Sequence, residues 1–137
     1  MAGGIQAVFF DFYGVLELNH QPNDPVVDLA RRLNERYRIG VISNASVRLE
    51  ERLQNGWGTI ASFDAVITSG RTGGTKSGVA IFKHAAERVG LPPVSCVHID
   101  DMPENVDGAR RAGFNAVLYT GDFAALEEEL RQIGMKW

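Results

Sequence analysis

Short apolar runs alternate with amphipathic ones along the whole chain. Ile5–Phe10 (IQAVFF), Ile39–Ile42 (IGVI), Ala65–Ile67, Val94–Ile99 (VSCVHI) and Ala116–Tyr119 (AVLY) are nearly continuous in hydrophobicity and rich in β-branched or aromatic residues. Such runs suit strands buried on both faces, as in a parallel sheet. Between them lie helical patterns with recognisable ends. Asn23-Asp24-Pro25 offers an N-cap and a first-turn proline, followed by Val26, Leu29, Leu33 and Tyr37 at helical spacing. Leu49 and Leu53 share one face of a shorter helix that Gly56 would stop. Ser77 can cap a third helix carrying Ile81, Phe82, Ala85 and Val89, closed by Gly90 and Pro92-Pro93. Pro103 opens a fourth, with Val106 and Ala109 inward and Gly113 at its end. Asp122 caps a fifth, with Leu126, Leu130 and Ile133 on one side and Glu127–Glu129 mostly facing water. This alternation predicts βαβ units with right-handed crossovers. The expected fold is one α/β domain over residues 1–137, a three-layer Rossmann-like arrangement with a five-stranded parallel sheet and helices on both faces.

Composition narrows the function classes. The 137 residues carry 45% hydrophobic and 23% charged side chains, an ordinary globular balance. Fourteen Lys and Arg against seventeen Asp and Glu leave a net charge of −3. With no basic surplus to grip a phosphate backbone, no nucleic-acid partner is expected. The single Cys96 cannot form an intramolecular disulfide, which fits a reducing compartment. No apolar run approaches a membrane span, and MAGGIQ lacks a basic region followed by an apolar stretch. A soluble cytoplasmic protein without a membrane partner is therefore expected.

In a parallel α/β sheet, ligands bind beyond the carboxyl ends of the strands. Those ends are polar here: Asp11, Ser43-Asn44, Thr68-Ser69 and Asp100-Asp101. A carboxylate ending a buried strand, as Asp11 does, is a nucleophile, a metal ligand or a helix cap. Adjacent carboxylates such as Asp100 and Asp101 repel each other unless a cation or proton lies between them. An oxygen-only cluster of this kind favours Mg²⁺ over zinc, since no Cys or His accompanies it. The plainer alternative has Asp101 or Met102 capping the helix that Pro103 opens. Ser43 and Asn44 could donate to an anionic oxygen or simply serve the strand-to-helix turn. Lys76 ends a glycine-rich stretch, Gly70-Arg71-Thr72-Gly73-Gly74-Thr75-Lys76. That stretch is not a P-loop, which needs Gly immediately before the Lys and normally follows the first strand. Cys96 and His98, alternating within the fourth strand, read as packed core.

Taken in order, VFFDFYGVL, GVISNAS, Lys76 and VHIDDMPENVDGARRAGFNAVLYTG resemble the four motifs of the haloacid dehalogenase-like (HAD) hydrolase superfamily. The resemblance spans about residues 5–121, and its last segment is the most specific. It implies that Asp11 is the nucleophile, forming a covalent aspartyl-phosphate. It implies that Ser43 hydrogen-bonds a transferring phosphoryl oxygen, that Asn44 shapes that turn, and that Lys76 neutralises the nucleophile and phosphoryl charge. Asp101 would ligate Mg²⁺ beside Asp11 and the backbone carbonyl of Tyr13, with Asp100 and Asn105 supporting from behind. An anionic carboxylate cannot approach an anionic phosphate until such cations offset the repulsion.

The chain departs from the family pattern at three places. Phosphatases of the family usually carry a second Asp two residues after the nucleophile, to protonate the leaving alkoxide; this chain has Tyr13. A phenol of reference pKa near 10 is the weaker acid, and losing a positioned general acid typically costs about 10²–10⁴-fold in rate. Aryl or acyl phosphates would suffer least. Tyr at this place also resembles the family's dehalogenases, whose departing halide needs no proton. Dehalogenases, however, need no metal and usually have neutral residues where Asp100-Asp101 stand. The family's helical cap normally lies between the first and second motifs, where residues 16–42 leave room for one helix and one strand. The resemblance thus implies a capless core, of a kind that closes its site with a neighbouring copy in a homo-oligomer or accepts bulky substrates. Finally, Ser77 follows Lys76 where the family usually has Pro. Three readings follow: a Mg²⁺-dependent phosphohydrolase acting on a phosphorylated small molecule or phosphoprotein, a dehalogenase-type hydrolase using Asp11 and Tyr13, or a non-catalytic metal-binding regulatory domain.

Overall fold

The computed structural model describes residues 4–72 and 78–137. In chain order the elements are β1 (Ala7–Phe10), β2 (Glu17–Leu18), β3 (Gln21–Pro22), α1 (Asp24–Leu33), β4 (Arg38–Ser43), α2 (Val47–Leu53), β5 (Ala65–Thr68) and the single turn α3 (Ser69–Thr72). There follow α4 (Ala80–Val89), a 3₁₀ turn at Pro93–Ser95, β6 (Cys96–Asp100), α5 (Pro103–Arg111), β7 (Asn115–Leu118) and α6 (Phe123–Gln132). Strands β5-β4-β1-β6-β7 form one sheet in that order, and every pairing is parallel. The expected five-stranded α/β architecture is what the chain adopts.

The sheet is buried on both faces because its central strands are mostly apolar, with polar side chains gathered chiefly at the strand ends. Val8 and Phe10 point into a cluster with Leu29 and Leu33 of α1, Leu53 of α2 and Leu130 of α6. Ala7 and Phe9 point the other way, toward Ile81, Phe82 and Ala85 of α4 and Ala109 of α5. Burying a side chain of Phe or Leu size contributes about 1.5–3 kcal/mol, so these two layers supply most of the drive to fold. Gly40 is required by one of them. A Cβ there would lie 2.7 Å from the Phe9 ring, which fills the space above its cross-strand partner.

Several ends differ from the sequence expectation. Val94 lies in the 3₁₀ turn and is exposed, because Pro92-Pro93 bend the chain before β6 begins at Cys96. Likewise β1 starts at Ala7, with Ile5 packed against the core from outside the sheet. Asn23 stands at the N-cap of α1 but makes no capping bond. Its amide instead donates to Val15 O (2.9 Å) and Tyr119 Oη (3.1 Å), tying the segment after β1 to the far side of the sheet. Ile133 ends α6 as its C-cap and is exposed rather than inward. Asp122 caps α6 as expected, accepting from Ala125 N–H at 3.1 Å. Ser77 lies outside the described residues, and α4 begins at Ala80 with Val79 at its N-cap. The β2–β3 hairpin was not anticipated. Its strands are two residues long, and its turn places Asn19 (φ 50°) and His20 (φ 65°) in the left-handed region that a tight two-residue hairpin demands.

Among the described residues no helix is long and apolar enough to cross a membrane. Cys96 is fully buried, and that burial pushes its thiol up to about 11. The native protein is therefore expected to resist a thiol reagent such as DTNB at pH 8, and to titrate one thiol once unfolded in guanidinium chloride. Rapid labelling of the folded protein would show that β6 is not packed as described.

Candidate functional site

The sheet order reverses direction at β1: the chain moves outward through β4 and β5, then returns to the opposite side of β1 with β6. At such a switch point the segments leaving neighbouring strands diverge and leave a crevice at their carboxyl ends. Asp11 directly follows β1, Ser43 ends β4 and Asp100 ends β6, so one crevice collects all three. The parallel register aligns them: Phe10 pairs with Val41 on one side and Ile99 on the other, and Asp11 N–H donates to Ile99 O at 2.9 Å.

A cleft of about 250 Å³ opens there, lined by Asp11, Tyr13, Ser43, Asn44, Asp101, Met102 and Asn105. Asp11 is only 5% exposed, and Ser43 and Asn105 are similarly sunk in the floor. One carboxylate oxygen each from Asp11, Asp100 and Asp101 lies within 4.8 Å of the others, a grouping capable of holding a metal ion. The donor set is oxygen only, the chemistry preferred by Mg²⁺ or Ca²⁺.

The two adjacent aspartates face different tasks. Asp100 is fully buried and turned inward: its Oδ1 accepts from Met102 N–H (3.0 Å) and Asn105 Nδ2 (3.3 Å). Its Oδ2 lies 2.7 Å from His98 Nε2, also fully buried. An ionised carboxylate only accepts, so Nε2 is the donor in this pair. Asp101, partly exposed, lines the cleft itself. Met102 occupies the N-cap of α5 without a side-chain bond; the carboxylate of Asp100 satisfies that helix end instead, through Met102 N–H.

The loop after β1 meets Asp101 at Gly14. Its φ is +93°, and a Cβ there would lie 2.4 Å from Asp101 Oδ2. Glycine is needed twice over, once for the backbone and once for the close approach. Phe12, buried beside this loop, packs edge-on against Tyr13 (5.0 Å between ring centres) and Trp57 (4.8 Å). The Arg52 guanidinium of α2 lies over the Phe12 ring and 3.7 Å from the buried Glu17 carboxylate of the hairpin. Helix α2 therefore braces the segment that carries Asp11 and Tyr13.

Asp11, Tyr13, Ser43, Asn44, Asp101 and Asn105 thus line one cleft, and Asp100 is in contact beneath it. Lys76 lies outside the described residues. His98 is the residue whose part the sequence concealed. It is packed core, with the Phe82 ring edge-on at 5.0 Å, yet it also holds Asp100. Two positions apart on one strand, the pair shares a face, and that spacing was the available signal.

Replacing His98 by Ala leaves a cavity and deprives a buried carboxylate of one donor. The expected loss of stability is about 3 kcal/mol, measured by urea unfolding. Because His98 and Asp100 interact, the double variant His98→Ala/Asp100→Asn should lose at least about 1 kcal/mol less than the two single variants together. Strict additivity would show that the pair is not coupled.

Comparisons with known proteins agree with this geometry. The haloacid dehalogenase-like hydrolase family matches residues 2–113. The chain is 34% identical over 95 residues to a glyceraldehyde 3-phosphate phosphatase of Methanothermobacter thermautotrophicus, covering 68% of this chain and 42% of that protein. It therefore spans less than half the length of that relative. Among solved structures, an uncharacterised protein of Corynebacterium glutamicum superposes with a TM-score of 0.78 and 27% identity, covering 98% of both chains. A HAD family enzyme of Bacteroides thetaiotaomicron, solved with magnesium and inorganic phosphate, shares the fold with a TM-score of 0.72 at 16% identity, covering 90% of this chain and 99% of its own. The motifs, the sheet order and the family match converge: the chain belongs to the haloacid dehalogenase-like hydrolase family.

Proposed function

We propose that the chain is a Mg²⁺-dependent phosphohydrolase that works through Asp11. The observation that carries this reading is the trio of carboxylates within 4.8 Å, in contact with a cleft that also presents Ser43 and Asn44. The first supplies a hard cation site and a nucleophile; the second supplies neutral donors for an anionic group. The phosphatase among its relatives and the magnesium and phosphate bound by a structural neighbour support the same reading.

Asp11 and Asp101 would hold the cation with the backbone carbonyl of Tyr13, and Asp100 and Asn105 would fix the position of Asp101 from beneath. When bound, Mg²⁺ would supply positive charge to the carboxylates and to the substrate phosphoryl group. In the first step an oxygen of Asp11 forms a bond to phosphorus while the bond from phosphorus to the leaving oxygen breaks. The leaving oxygen departs with the electron pair and takes up a proton. Ser43 and Asn44 donate hydrogen bonds to phosphoryl oxygens, and Lys76 adds its charge. In the second step water attacks phosphorus, phosphate leaves and the Asp11 carboxylate is restored. Tyr13 stands where a carboxylic acid usually serves the leaving oxygen, and a phenol is intrinsically the weaker acid. Turnover is accordingly slow for alkyl phosphates. A dehalogenase reading draws on the same Tyr13, but the buried acidic cluster disfavours it, since it would place negative charge beside a departing halide.

Release of inorganic phosphate from p-nitrophenyl phosphate should require Mg²⁺, stop with EDTA, and fall at least about 10³-fold in Asp11→Asn. Chloride release from a 2-haloacid without metal, with no phosphate release from any ester, would favour the dehalogenase instead. Tyr13→Asp should raise kcat on an alkyl phosphate by about 10²–10⁴-fold. An unchanged rate in that variant would contradict the view that the site lacks only its acid.

A further inference from the structure

The same cleft has a polar floor, and at its mouth two large apolar side chains stand beside the exposed Asn44 and the partly exposed Asp101. Its buried floor is Asp11, Ser43 and Asn105, whereas Tyr13 is 48% exposed and Met102 44% exposed at its edge. Few large hydrophobic side chains are this exposed among the described residues, and two of them border one small cleft. The Tyr13 ring and the Met102 main chain are held in place. The Tyr13 ring rests edge-on against buried Phe12 at 5.0 Å, and Met102 N–H is fixed by Asp100 Oδ1 at 3.0 Å. The Tyr13 ring is anchored from behind and the Met102 main chain is fixed, so both side chains project from set positions and present apolar surface to solvent.

We propose that the leaving group accommodated between Tyr13 and Met102 is aromatic, so that the substrate class is a small phosphomonoester of a phenol-type alcohol. This rests on the phosphohydrolase reading above and adds the identity of the leaving group. Two independent properties of the cleft meet on that class. A thioether and a phenol ring are favourable neighbours for an aromatic ring, through sulfur–arene and edge-on contacts. The Met102 thioether offers little to the hydroxyls of a sugar, which would lose water against it without gaining a strong hydrogen-bonding partner. Chemically, an aryl oxide is a good enough leaving group to depart without a carboxylic acid beside it. The bond from Asp11 to phosphorus forms as the aryl oxygen–phosphorus bond breaks. The aryl oxide leaves with the electron pair, and water protonates it afterwards.

Steady-state kinetics with Mg²⁺ on phenyl phosphate, 2-naphthyl phosphate and fructose 1-phosphate tests this. The leaving phenols of the first two have nearly equal acidity, so their difference reports apolar contact rather than chemistry. KM for 2-naphthyl phosphate is expected to be about tenfold below that for phenyl phosphate. The gap should close in Met102→Gln, which keeps the shape of the side chain but makes it polar, and persist in Met102→Leu. Equal KM values in the unaltered protein, or a gap that survives Met102→Gln, would overturn the inference. So would fructose 1-phosphate turned over as efficiently as 2-naphthyl phosphate, an outcome that leaves the phosphohydrolase reading intact. Absence of phosphate release from all three esters would remove both.

Discussion

Negative charge held at close quarters is the constraint on which this structure turns. Three carboxylates contribute oxygens within 4.8 Å of one another, and two of the residues are buried. At an effective dielectric near 20, two full charges at that separation repel by about 3 kcal/mol, and three such pairs exceed what a small domain can spare. Something must offset this. Asp100 is relieved by the protein itself, through His98, the Met102 amide and Asn105. Asp11 and Asp101 line the cleft, where the proposed cation would add positive charge beside them.

The scaffold explains how so unfavourable a grouping is brought together. Apolar packing on both faces of β1 fixes where its carboxyl end lies, and the parallel register with β4 and β6 fixes what stands beside it. The final approach is local. Gly14 lets the loop after β1 pass against the Asp101 carboxylate, and Arg52 of α2 clamps that loop through Phe12 and Glu17. Thus the hydrophobic core supplies the free energy and the loops supply the precision. Catalytic groups on loops held by rigid strands are a common outcome of that division.

Much of this was legible in the amino acids. Strands buried on both faces are nearly continuous in hydrophobicity, so IQAVFF, IGVI and VSCVHI declared themselves, and their polar ends marked the rim. The lining residues Asp11, Ser43, Asn44, Asp101 and Asn105 followed from those ends and from the family resemblance. What escaped has physical causes. The β2–β3 strands are too short for a periodic signal, and the turn between them uses Asn19-His20 without glycine. The bond from Asn23 to Tyr119 joins residues 96 positions apart, a contact no local pattern encodes. The union of His98 with Asp100 was hidden because a histidine among Val97 and Ile99 looks like packing, and it is packing as well.

The account stands or falls on whether Asp11 and Asp101, ninety positions apart in the chain, share one divalent cation. A crystal structure grown in magnesium is the most direct measurement. The ion is expected between those two carboxylates, with Asp100 still turned toward His98. Density for no ion, with Asp11 and Asp101 separated and each hydrogen-bonded elsewhere, would contradict it.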